Sequence, residues 1–232
     1  MKNLAVITAR GGSRRIPKKN IKEFCGKPII SYSIHAALEA GCFDEVMVST
    51  DDLEIKEISL HYGAKVPFLR SEETSNDFAT IKDVLAEVIT EYKKAGREFS
   101  YLCSIYPTAP FVTPEKLKES MDLLIESGCD SVFPIVPFSF PPQRGFLMGQ
   151  QSCIHYQYPE YELSRSQDLE TIYHDCGQYC CLNVGSFLDH GKLVTDNTKA
   201  VIMNGLEVQD IDNDTDWKIA EIKYRLMLEK QH

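Results

Sequence analysis

From Leu4 to Val136 the chain alternates short apolar runs with longer stretches of helical spacing, and this alternation restricts the folds open to it. Leu4–Thr8, Glu45–Thr50, Tyr101–Tyr106 and Asp130–Val136 read as strands, with Val46 and Val48 β-branched. Between them, residues 28–40, about 52–62, 78–94 and 114–127 read as helices. Asp51 or Asp52 and Thr113 are candidate caps, Pro114 a first-turn residue, and Gly41, Gly63, Gly96 and Gly128 stops. Strands separated by helices of about a dozen residues predict an α/β protein: a mostly parallel sheet with helices on both faces. Ligands of such sheets sit at the carboxyl ends of the strands. The loops to search are therefore 9–20, 51–52, 106–113 and 137–144.

The pattern breaks after residue 137, where Pro137, Pro141, Pro142 and Pro159 interrupt it. Residues 138–180 read as an irregular or antiparallel excursion. Strands are expected again at Leu182–Phe187, Ala200–Met203 and Glu207–Ile211. A last helix over 215–229 buries Trp217, Ala220, Tyr224 and Met227, which step by three and four. At 232 residues the chain is expected to be one domain, with the excursion inside it. A core of that size needs no metal or disulfide to hold it. The eight cysteines form no C-x₂-C pair, and the His174-Asp175-Cys176, Cys180-Cys181 group matches no common zinc spacing, so free thiols are expected. The first apolar run is too short for a signal peptide or a membrane span, which points to the cytoplasm.

The net charge of −9 makes nucleic acid and anionic membranes poor partners. Against it stands one cationic loop, ARGGSRRIPKKN, which follows the first strand and holds Arg10, Arg14, Arg15, Lys18 and Lys19 with no acid. Gly11 and Gly12 let backbone amides approach a ligand, and Arg10, Arg14 and Lys19 can neutralise phosphate. The loop is neither a Walker loop nor a G-x-G-x-x-G turn. A second cluster, QDIDNDTD, places Asp210 and Asp212 on one face of an extended segment. Paired carboxylates near phosphates are what Mg²⁺ needs. Asp214 and Asp216 fall where a cap and a first-turn acid belong.

The remaining motifs are weaker. Tyr106-Pro107-Thr108-Ala109-Pro110-Phe111 is a rigid loop able to shape a base or sugar pocket, or an ordinary strand-to-helix turn. FSFPPQR with Gln143 and Arg144, SRSQD with Arg165 and Gln167, and YHDCGQ with His174 and Gln178 carry groups suited to a carboxylate and hydroxyls, but a solvated loop reads equally well. Asp77, Thr80 and Arg70 are ambiguous, and Arg70 could pair at the surface with Glu72 or Glu73.

Together these stretches resemble the acylneuraminate cytidylyltransferase family over nearly the whole chain: the ARGGSRRIPKKN loop, VSTDD, FLR, PTAP and the late DID pair, in order. YPTAPFVT, FSFPPQR, RSQDLE and HDCGQY are most similar to its pseudaminic acid branch, and Tyr106 and Val112 depart from the neuraminate pattern. The resemblance implies a nucleotidyltransferase fold of the glycosyltransferase-A kind, and a homodimer in which the 138–180 excursion packs on the partner and can contribute to its sugar site. It implies transfer of CMP from CTP to a nine-carbon 2-keto sugar acid with release of pyrophosphate, for surface glycan or flagellin glycosylation. Arg10, Arg14 and Lys19 would hold the triphosphate beside Gly11 and Gly12, with Asp210 and Asp212 on Mg²⁺. Ser13, Asn20, Arg70, Thr80 and Thr108 would contact cytidine. Tyr106, Gln143, Arg144, Arg165, Gln167, His174 and Gln178 would face the sugar. Neuraminic, legionaminic and deoxy-octulosonic acids are rival substrates. A sugar 1-phosphate would need a second basic cluster, and a non-catalytic nucleotide-binding protein would not need the aspartate pair.

Overall fold

The computed structural model describes residues 1–13 and 15–229. In chain order its elements are β1 (Asn3–Thr8), β2 (Glu23–Phe24), β3 (Lys27–Pro28), α1 (Ile30–Glu39), β4 (Glu45–Ser49), α2 (Leu53–His61), α3 (Glu72–Ser75), α4 (Ile81–Lys94), β5 (Tyr101–Ile105), α5 (Pro114–Ser127) and β6 (Ser131–Pro137). There follow β7 (Phe146–Met148), β8 (Ile154–Tyr156), β9 (Tyr173–Asp175), β10 (Tyr179–Asn183), α6 (Val184–His190), β11 (Thr198–Ile202) and α7 (Asp214–Glu229). The main sheet runs β11-β6-β10-β5-β1-β4, with β9 on β6. β4, β1, β5, β6 and β11 share one direction, while β10 and β9 run against it.

β1 shows why the sheet is covered on both faces. Its side chains alternate, and each set enters a different core: Ala5 and Ile7 join one cluster, Leu4 and Val6 the other. A strand apolar on both sides must be sandwiched. The helix boundaries follow the expected chemistry. Asp52 caps α2 by accepting from the amides of Glu54 and Ile55, Thr113 caps α5 ahead of Pro114, and Gly128 ends α5 with φ +63°. At α4 a capping box forms, with Thr80 and Asp83 exchanging hydrogen bonds.

Three local expectations are corrected. The strand expected over Leu182–Phe187 is β10, which ends at Asn183 and runs antiparallel; the Asn183 side chain then caps α6 through Ser186 N. Glu207–Ile211 is no strand. A 3-10 turn at Gly205–Glu207 precedes it, and side chains satisfy its carbonyls, Gln178 reaching Glu207 O at 2.6 Å and Lys223 reaching Val208 O at 2.8 Å. The cap of α7 is Asn213 rather than Asp214, since Asn213 accepts from the amides of Thr215 and Asp216. Asp216 does act from the first turn, reaching back to the Asp212 and Asn213 amides.

The cysteines are free thiols, five of them buried. Cys103 and Cys181 face each other across β5 and β10, and the Cys176 thiol donates to Pro134 O. A third apolar cluster joins Ile16, Phe24, Ile29, Phe111, Ile211, Trp217 and Ala220, with Tyr224 and Met227 packed on it. The apolar face of α7 lies here, as its spacing predicted.

Candidate active site

The third cluster positions the site. Ile16 comes from the cationic loop, Phe111 from the proline loop after β5, and Ile211 from the acidic segment; all are 2% exposed or less. Burying each such side chain is worth about 1.5–3 kcal/mol. Three loops distant in sequence are therefore pinned to one core, and their polar residues are carried together.

Hydrogen bonds shape the cationic loop itself. Ala9 N–H donates to Ser49 O at 2.9 Å, extending the pairing of β1 with β4. Gly11 N–H donates to Asp51 Oδ1 at 2.9 Å, and Asn20 Nδ2 donates to Arg10 O at 2.8 Å. A Cβ at Gly11 would stand 2.8 Å from Asp52 Oδ2, so the close approach requires glycine. Arg10 is held by Asp77 at 2.8 Å and by Asn76 O at 3.1 Å.

Between these loops lies a cavity of about 520 Å³, within the usual range of about 300–1,000 Å³ for small-molecule sites. Of the residues singled out in the sequence, Arg10, Gly12, Ser13, Lys19, Asn20, Arg70, Thr80, Tyr106 and Thr108 line it. Gly11 stands behind the wall, against Asp52. Arg14 lies outside the described residues. Arg70 is not a surface partner of Glu72 or Glu73: it is 8% exposed, with Nε on Ser49 Oγ at 3.0 Å and Nη2 on Ser49 O at 2.7 Å. Burial lowers its pKa to about 10, and the Asp51 charge opposes that shift. Burial also lowers Lys19, against the pull of Asp212 and Asp210.

The acidic pair adjoins this cavity. Arg15 Nη2 lies 2.7 Å from Asp212 Oδ1, and Lys19 Nζ lies 3.9 Å from it while donating to Ile211 O at 2.6 Å. Burial of its carboxyl, then the neighbouring Asp212, raises the Asp210 pKa. The Asp210 carboxyl also faces Gly177, where a Cβ would come within 3.7 Å. Two carboxylates that repel each other and offer only oxygen donors fit a divalent cation chemically. Among the described residues, no group of three or more His, Cys, Asp or Glu is placed to hold a metal.

The sugar candidates divide. Tyr106 lines the cavity, its pKa pushed up to about 12 by burial and then by Asp175. Gln178, 1% exposed, accepts from Tyr106 N–H through its backbone oxygen, and its side-chain oxygen is buried without a partner. His174 is exposed on β9 with its ring 4.5 Å from that of Phe138. Gln143, Arg144, Arg165 and Gln167 lie in the excursion and do not reach this cavity; Gln143 Nε2 donates to Glu170 O and Arg144 Nη1 to Ser166 Oγ. Sequence reasoning missed Arg15 as a site residue, although it sits in the basic run. It also missed Thr74 and Asn76, whose place on the cavity wall depends on the turn before α4.

A cationic glycine loop and an acidic pair gathered beside the strand ends of a mostly parallel sheet fit a nucleotidyltransferase. A family model described as cytidylyltransferase matches residues 4–178, and the chain belongs to that family. Over 226 residues it is 37% identical to a pseudaminic acid cytidylyltransferase of Campylobacter jejuni, with 97% of each chain covered. It is 32% identical over 229 residues to a CMP-N,N'-diacetyllegionaminic acid synthase of Legionella pneumophila, with 95% of each covered. Its fold is similar to that of a CMP:2-keto-3-deoxy-manno-octonic acid synthetase solved with CTP, at TM-score 0.69 and 18% identity, covering 99% of this chain and 100% of that one. The nucleotidyltransferase fold implied by the resemblance is thus met.

Proposed function

We propose that this protein transfers CMP from CTP to an acidic nine-carbon 2-keto sugar, with pseudaminic acid as the substrate, and releases pyrophosphate. The observation that carries this reading is the junction of the cationic cavity with the acidic pair, made by Arg15 and Lys19 on Asp212. The cavity gathers Arg10, Arg15, Lys19 and Arg70 against one lining acid, Asp77, which leaves a net positive charge suited to an anionic ligand. A triphosphate satisfies it, with the arginines offering paired donors. Ser13, Asn20, Thr80 and Thr108 supply the shorter polar contacts that suit the nucleoside.

In this reading the anomeric hydroxyl of the sugar attacks the α-phosphorus in line, the P–O bond to the β-phosphate breaks, and pyrophosphate leaves. The chain contributes positioning and charge. Arg10, Arg15, Lys19 and Arg70 hold the phosphates against the glycine turn. Asp210 and Asp212 would hold Mg²⁺, which supplies charge neutralisation at the phosphates when bound. Tyr106, which lines the cavity and feels the Asp210 charge, and Gln178, whose backbone oxygen accepts from Tyr106 N–H, are the sugar contacts proposed within one chain.

A homodimer completes the proposal. Phe140, Met148 and Leu163 of the excursion are 87%, 75% and 94% exposed, an apolar surface suited to a second copy. Arg144, Arg165 and Gln167 would then serve the partner's sugar site. A cytoplasmic location suits a CTP-dependent reaction; among the described residues no helix is long and apolar enough to cross a membrane.

Pyrophosphate release from CTP with pseudaminic, legionaminic and N-acetylneuraminic acids tests the reading. Turnover is expected with all or some of these acids and fastest with pseudaminic acid. Activity confined to N-acetylneuraminic acid would overturn the sugar while leaving the reaction in place. A CMP-legionaminate synthetase is the second reading, favoured by the Legionella similarity.

A further inference from the structure

The carboxyl end of β4 carries two adjacent acids, and only one of them has an evident structural task. Asp52 caps α2 through Oδ1, accepting from Glu54 N at 2.8 Å and Ile55 N at 3.0 Å. Asp51 takes no part in that cap. It is exposed, and it sits beside a cavity read as a phosphate site, where a negative charge works against the ligand. Such a charge needs a compensating role.

Its contacts supply one. Asp51 Oδ1 accepts the Gly11 amide proton at 2.9 Å. The same strand end holds Arg70 from the other side, with Arg70 Nη2 on Ser49 O at 2.7 Å and Arg70 N–H on Thr50 O at 2.8 Å. Ser49 O also accepts from Ala9 N–H at 2.9 Å, the residue that opens the cationic loop. Three consecutive residues, Ser49 to Asp51, therefore anchor both the glycine turn and a buried arginine of the same cavity. The Asp51 charge acts on that arginine and favours its protonated form against the cost of burial. An acceptor aimed at Gly11 N–H fixes the Arg10–Gly11 peptide plane, whose carbonyl accepts from Asn20 Nδ2 at 2.8 Å, and Arg10 and Asn20 both line the cavity.

We propose that Asp51 is a positioning residue for nucleotide binding, joining the Gly11 turn and Arg70 into one phosphate-binding unit. This rests on the functional reading above and adds a residue to it. Asp51 touches no reacting atom; it acts through the backbone of Gly11 and through Arg70. A hydrogen bond to a charged acceptor is stronger than a neutral one and holds its donor in one orientation. Losing it frees the loop to sample other conformations, so affinity falls while the chemistry of a bound nucleotide changes little.

The test compares Asp51→Ala and Asp51→Asn with the native chain. CTP affinity is read by calorimetry, KM and kcat by pyrophosphate release, and the ligand-free Tm by calorimetric scan. Asp51→Ala is expected to raise both Kd and KM for CTP by about tenfold or more, from loss of one charge-assisted bond. The kcat should stay within about threefold and the ligand-free Tm should barely move, because the bond lies on an exposed loop. Asp51→Asn keeps a neutral acceptor for Gly11 but not the charge felt by Arg70, and should recover part of the affinity. Equal CTP affinity in the native chain and Asp51→Ala would overturn the positioning role while leaving the functional reading intact. A fall in Tm that accounts for the loss, with no rescue by Asp51→Asn, would also overturn it, since the role would then be structural. Absence of CTP binding by the native chain would sink the functional reading and this proposal together.

Discussion

The nucleotide cavity and the 138–180 excursion are built by opposite rules. Around the cavity, each loop sends an apolar anchor inward, Ile16, Phe111 or Ile211, and the polar groups find partners on the strand ends. In the excursion, large apolar side chains such as Phe140 and Leu163 face outward, while the Gln143 side-chain oxygen and Arg144 Nε are buried without partners. The first region ties its cavity loops together within its own chain, with Gln178 Oε1 beside it left unpartnered. The second leaves apolar surface uncovered and polar atoms unmatched, as the proposed dimer requires. Under the proposed function the difference amounts to a division of labour, with nucleotide binding autonomous and sugar recognition dependent on the proposed dimer.

The sharpest way to break that division is on the autonomous side. Lys19→Ala removes a cation that lines the cavity and reaches both Ile211 O and Asp212. Loss of one such electrostatic contact at a transferring phosphoryl group is expected to cost about 10²–10³-fold in kcat/KM, measured by pyrophosphate release. The excursion should be indifferent, so the oligomeric state should not change. On the other side, Phe140→Ser with Leu163→Ser should weaken the dimer about 10–100-fold, read by sedimentation, if these are buried anchors of an interface. CTP affinity should remain native in that variant while sugar turnover falls. Parallel loss of CTP affinity would erase the distinction between the two regions.

The same contrast explains what could be read from the sequence. β1, β4, β5, β6 and the helices between them announced themselves through local signals: β-branched runs, Asp52 and Thr113 as caps, Gly128 as a stop. The cavity was legible because its residues cluster in that same half and follow strand ends. β10 was misread because its antiparallel place between β5 and β6 depends on partners remote in sequence, not on its own pattern. The acidic segment looked like a strand because its residues are apolar and β-branched in part. Its actual course is set by Gln178 and Lys223 capturing its carbonyls, which no local rule anticipates. Arg15 was passed over because its neighbours in the basic run looked equivalent; only the folded loop brings its guanidinium to Asp212.

A milder change probes the boundary between cavity and acidic pair. Asp212→Asn removes one carboxylate from the pair and the partner of Arg15. The Mg²⁺ concentration for half-maximal turnover should rise by about tenfold, since two carboxylates are a usual protein share of such a site. An unchanged metal titration would detach the acidic pair from the reaction and leave the cavity alone to carry it.

The smallest effect is also the most diagnostic, because its sign is opposite to that of an ordinary core mutation. Folding raises the Asp210 pKa, first through burial of its carboxyl and then through Asp212. A carboxyl whose pKa is higher folded than unfolded favours the fold while protonated. That contribution is complete below the unfolded pKa and is lost as pH rises through the folded one. At neutral pH the ionised Asp210 therefore opposes folding, and Asp210→Asn should raise the ligand-free Tm. The residue remains exposed, so water screens the repulsion and the gain should be no more than about 2 °C. The difference between the two proteins should shrink as pH falls through the raised folded pKa of Asp210, because the protonated carboxyl carries no charge to repel. The variant should still lose turnover, which separates a stability cost from a functional need. A Tm that falls at neutral pH would mean that Asp210 is stabilised by its surroundings rather than strained by them. The acidic pair would then be a structural feature of the α7 entry, and only the cationic cavity would remain as evidence for the site.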